Sequence, residues 1–144
     1  MAIRDMVEKG SDFEEDIKKW KDLEDVTIES CDKIIGSSSN ALVKTVAGII
    51  KADSHKHKEI LNVIEDALNG TILLSPEELG AISELLDNHL KLEKNSVMLA
   101  EKELENSRHF VIRHLLSYLL EDERKHVKLL NQLNDFKRHL YPYA

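Results

Sequence analysis

Apolar residues recur along this chain at intervals of three and four, the period of an amphipathic helix rather than of a strand. The first run takes in Phe13, Ile17, Trp20, Leu23, Val26 or Thr27, Cys31 and Ile34. Ser11-Asp12-Phe13-Glu14 has the form of a capping box and predicts its start. Gly36-Ser37-Ser38-Ser39-Asn40 predicts its end, with Gly36 in the left-handed position and a Ser or Asn capping the next helix. The second run, from about Ala41 to Asn69, carries Leu42, Val46, Ile49 or Ile50, Ile60 or Leu61, Ile64 and Leu68. The apolar link Gly70–Leu74 is expected to lie against the other helices. Ser75-Pro76-Glu77-Glu78 is a second start signal, with Gly80 allowing a short first turn to end before the main third helix, which runs to about Glu105. A fourth helix is expected from about Arg108 to Leu140, stopping before Pro142. Four long helices with short connections predict an all-α fold, an antiparallel four-helix bundle forming a single domain over residues 1–144.

Composition narrows the picture. The chain has 144 residues, 33% of them charged and 5% aromatic, with 5 Gly and 2 Pro, too few turn formers for a sandwich or barrel. The net charge of −7 argues against a nucleic-acid partner, because binding phosphates needs a basic face. A single cysteine, Cys31, excludes a disulfide framework and a multi-cysteine metal site and fits a reducing compartment. With no signal-like segment and no apolar run of membrane-spanning length, the expectation is a cytoplasmic protein without a membrane partner.

The chain also repeats itself. Shifted by 69 positions, Leu23-Glu24 falls on Leu92-Glu93, Asp53 on Asp122, Lys56-His57 on Lys125-His126, and Leu61-Asn62 on Leu130-Asn131. Glu15, Lys33, Ser38 and Asp66 match as well, giving eleven identities in some 55 pairs where roughly three are expected by chance. A matched Glu and a matched His lie 33 residues apart in both halves, which shared amphipathicity does not explain. The chain therefore reads as a duplicated helical hairpin, with hairpins over 11–69 and 76–140. Cys31 matches Ala100, a small core position, and Trp20 reads as a core or interface anchor. His89, His109, His114 and His139 have no evident partners in the sequence.

Chemistry concentrates at the matched positions. Glu123 and His126 form Glu-x-x-His, one face of a helix, where a carboxylate and an imidazole can reach one metal ion. Glu24 follows Leu23 in mid-helix, Glu93 follows Leu90 and Leu92 in mid-helix, and His57 lies mid-way along helix two, at depths where charge is costly unless it is paired or metal-bound.

One Glu from each of two helices and Glu-x-x-His from the others resembles the ligand set of the ferritin-like di-metal carboxylate proteins. The resemblance covers about Asp12 to Leu140. It is closest to small rubrerythrin-like members, on the Leu-Glu of the odd helices and on Asp122-Glu123-x-Lys125-His126-x-x-Leu129-Leu130. It implies Glu24 and Glu93 as the carboxylates of helices one and three, Glu123 and His126 as the pair of helix four, and His57 as the histidine of helix two. It also implies iron or manganese, with zinc as a further option, and ferroxidase or peroxide- and O2-reducing chemistry. The expected assembly is a homodimer. A redox cycle would need an external electron donor, since the four-cysteine iron module of rubrerythrins is absent from this sequence. The departure is Ser54, which occupies the place of the helix-two Glu, with Asp53 and His55 beside it. Three outcomes stay open: a weakened di-metal site, a single-metal site, or an empty one. The alternative is a non-catalytic bundle acting as a dimerisation or protein-interaction module. The resemblance further implies that helices two and three run parallel, so their link crosses the bundle and Ser75–Gly80 forms at most a short separate turn.

Overall fold

The computed structural model describes residues 11–70, 72 and 74–140, with side chains for 12–70, 72 and 74–136. The described residues are mostly helical, with no strand among them: α1 (Ser11–Ser37), α2 (Ala41–Leu68), α3 (Pro76–Ala81), α4 (Ser83–Asn106) and α5 (Phe110–Leu140). None of these helices is long and apolar enough to cross a membrane.

The contacts divide into two compact units. In the first, α1 and α2 pack along their lengths as a helical hairpin; in the second, α4 and α5 do the same, with the short α3 against both. The division falls between the two halves of the sequence repeat.

Local chemistry accounts for most helix ends. The Asn40 carboxamide oxygen accepts from the backbone N–H groups of Leu42 (2.9 Å) and Val43 (3.1 Å), satisfying two donors that have no partner inside α2. Gly36 is helical, and α1 ends at Ser37; the left-handed glycine is Gly70, with φ 75°, just after α2. The Ser75–Glu78 capping box forms as expected: the Ser75 hydroxyl accepts from Glu78 N–H at 3.2 Å, and the Glu78 carboxylate accepts from Ser75 N–H at 2.9 Å. It starts only the six-residue α3, because the chain turns at Ile82 before α4 begins. Ser75–Gly80 thus belongs to a short separate turn. The last helix begins at Phe110, two residues later than expected. Ser107 is extended, and the Arg113 guanidinium donates to the carbonyls of Leu104 and Ser107, holding the end of α4. The Ser11 cap and the stop before Pro142 fall outside the described side chains and residues.

The core of each unit is narrow. Ile17, Cys31, Ala47 and Leu61 are buried in the first, and Leu79, Ala100 and Leu120 in the second. Cys31 and Ala100 are both buried, as the repeat predicts. Trp20, Leu23 and Val26 are more than half exposed, although the periodicity places them on the apolar stripe. Ile72 and Leu74 of the apolar link are also exposed, at 43% and 40%, contrary to the expectation that the link is covered. The 3.6-residue period shows that a stripe exists; how much of it is covered depends on what packs against it.

Candidate metal centre

Each hairpin brings its matched Glu and His together. In the first, Glu24 on α1 lies 8% exposed, and His57 on α2 places Nδ1 3.1 Å from its Oε1. The Trp20 indole N–H, one turn earlier on α1, donates to the same oxygen at 3.1 Å. Ser54, 3% exposed, also hydrogen-bonds the Glu24 side chain. Burial pushes the Glu24 carboxyl up, but the hydrogen bonds from Ser54, His57 and Trp20 outweigh it and hold the group below its ordinary range. A buried carboxylate is costly unless donors replace its water, and three side chains supply them here.

The second hairpin repeats this arrangement with different chemistry. His126 Nδ1 lies 3.2 Å from Glu93 Oε2 and 3.9 Å from Glu123 Oε1. Glu123 occupies the repeat position of Ser54 and hydrogen-bonds Glu93, as Ser54 does Glu24. Two carboxylates in contact cannot both ionise easily, so the pair gives up its last proton less readily than a lone carboxyl does. The hydrogen bond from Glu123, together with contacts to His126 and His89, holds Glu93 low against its burial. The same hydrogen bond, with burial and the Glu93 charge, raises Glu123.

Outer contacts orient this group. The far nitrogen of His126, Nε2, faces Asp122 Oδ2 at 3.5 Å, while Nδ1 faces the two glutamates. Asp122 also pairs with Lys125 at 2.7 Å. On the other side, His89 Nε2 lies 3.0 Å from Glu93 Oε1. An open pocket of about 290 Å³ borders the cluster, lined by His89, Glu93, His126, Leu129 and Leu130.

Ligand atoms from Glu93, Glu123 and His126 all lie within 4.8 Å of one another. Carboxylate oxygens and an imidazole nitrogen at that separation suit iron, manganese or zinc. Of the five expected ligands, the second hairpin joins Glu93, Glu123 and His126, and the first joins Glu24 and His57. The sequence missed two participants. His89 lacks no partner; it is paired with Glu93. Trp20 acts as a donor to Glu24 as well as an exposed apolar surface. Both lie four residues before their glutamate, at repeat-equivalent positions, and that i, i+4 spacing was the available signal.

No protein-family model, curated protein or solved structure matches the chain.

Proposed function

We propose that this protein is a ferritin-like metal-binding protein whose first ion, iron or manganese, is held by Glu93, Glu123 and His126. One observation carries the reading: two carboxylates and an imidazole from α4 and α5 offer ligand atoms within 4.8 Å of one another, and two of the three, Glu93 and His126, are the matched Glu and His of the repeat. Three protein ligands leave coordination positions open, and a bound redox-active ion there would supply electron exchange with O2 or peroxide. The chain's own groups would hold the ion, with Asp122 fixing the His126 ring. Reducing equivalents would come from an external donor. The first hairpin reads as the degenerate half. Ser54 offers no carboxylate, and Glu24 already accepts from Ser54, His57 and Trp20, so its lone pairs are committed to protein donors.

The test is loading of the full chain with Mn(II), anaerobic Fe(II) or Zn(II), dialysis and elemental analysis, for the wild type and for Glu123→Ala. About one tightly held ion per chain is expected, and Glu123→Ala is expected to lose it. Retention of none of these ions overturns the reading, and so does a Glu123→Ala variant that binds as the wild type does.

A second reading, a non-catalytic module that pairs with a second copy, draws on the exposed apolar residues. Leu23 and Leu92, Val43 and Ile112, Ile50 and Leu119, and Ile60 and Leu129 are equivalent under the repeat, and all are 41% exposed or more. Repeated apolar positions favour two-fold pairing. Light scattering of the purified chain decides it: a dimer broken by Leu92→Glu with Leu129→Glu supports it, and a monomer overturns it.

A further inference from the structure

The strongest unassigned feature is the pairing of His89 with Glu93, which has a counterpart in the other hairpin. Trp20 Nε1 lies 3.1 Å from Glu24 Oε1, and His89 Nε2 lies 3.0 Å from Glu93 Oε1. Trp20 and His89 are separated by 69 positions, as are the two glutamates. An indole nitrogen can only donate, so position 20 supplies an N–H to the carboxylate. The imidazole does the same at position 89 when its Nε2 carries the proton. His89 thereby engages one oxygen of Glu93, while the other, Oε2, faces His126 at 3.2 Å.

We propose that His89 is a positioning residue of the Glu93–Glu123–His126 centre, an N–H donor that fixes the outer oxygen of Glu93 and leaves Oε2 aimed at the ion. The inference rests on the metal-binding reading and adds a fourth side chain to the site. Ligating carboxylates are commonly held by such outer hydrogen bonds, whose loss lowers affinity about 10–100-fold. His89 is not itself a ligand in this assignment. Its Nε2 is occupied by Glu93, and it lies outside the group whose ligand atoms mutually approach within 4.8 Å.

The repeat supplies its own control. The side chain of His89 is 56% exposed and Trp20 is 52% exposed, so a tryptophan fits at such a position and keeps the donor. The experiment titrates Co(II) into the full-length wild type, His89→Phe and His89→Trp, reading affinity and the visible absorption of the bound ion, with helicity checked by circular dichroism. His89→Phe is expected to bind at least about tenfold more weakly. His89→Trp is expected to stay within about threefold of the wild type, because the donor is retained, with an unchanged absorption band. An unchanged affinity in His89→Phe overturns the role. So does a His89→Trp variant that binds as weakly as His89→Phe with an altered band, since His89 would then be a ligand. A wild type that binds no Co(II) overturns the metal-binding reading and this role with it.

Discussion

His126 Nδ1 lies 3.2 Å from Glu93 Oε2, and 33 residues separate the two. His57 Nδ1 lies 3.1 Å from Glu24 Oε1 across the same number of residues. The two hairpins thus place the same pair in the same contact, and they differ in the third side chain. Ser54 completes the first group, and Glu123 completes the second.

Restoring the missing carboxylate tests that difference. Ser54→Glu is expected to raise metal retained after dialysis from about one ion per chain toward two, read by elemental analysis. Ser54 is 3% exposed, so without metal the larger side chain is expected to cost about 1–3 kcal/mol through overpacking and repulsion from Glu24. Added Mn(II) should recover part of the lost melting temperature.

Metal affinity should fall as pH falls, and earlier than ordinary glutamates would dictate. Glu123 holds its proton to higher pH than usual because Glu93 is beside it, and wherever it keeps that proton a divalent ion must displace it. Calorimetry in buffers of different ionisation enthalpy should record proton release on Mn(II) binding. Glu123→Gln is expected to abolish that release and weaken binding.

Glu24 should contribute to acid sensitivity. Its carboxyl lies below its ordinary value of 4.5 in the folded chain. A group lowered on folding stabilises the fold above its unfolded value, and that contribution is lost as pH falls through the folded value. Thermal melts from pH 7 to pH 2 should therefore show an acid limb that Glu24→Gln flattens. Glu24→Ala leaves the Ser54, His57 and Trp20 donors without their acceptor and is expected to cost about 1–3 kcal/mol at neutral pH.

The Asn40 cap should be separable from the site. Asn40→Ala removes the acceptor for Leu42 and Val43 N–H and is expected to cost about 1 kcal/mol by chemical denaturation. Metal affinity should stay within about twofold of wild type, because the cap lies at the start of α2 and the Glu93–Glu123–His126 group lies on α4 and α5.

The helices, their approximate limits and the duplicated hairpin could be read in the residues alone. Apolar spacing encodes helix period, Asn40 and Ser75 encode starts, and equal offsets between identical residues encode the repeat. The pairings of Glu24 with His57 and of Glu93 with His126 were legible for the same reason. Other features depend on how each helix is rotated about its axis and how closely its partner approaches, which no local spacing specifies. Tertiary structure decided that Ser54 is buried against Glu24, that Glu93 and Glu123 are in contact, that Trp20 donates to Glu24 while His89 pairs with Glu93, and that Trp20, Leu23 and Val26 remain largely exposed. Whether the buried glutamate meets a hydroxyl or a second carboxylate is decided there, by the side chain that the facing helix brings within reach.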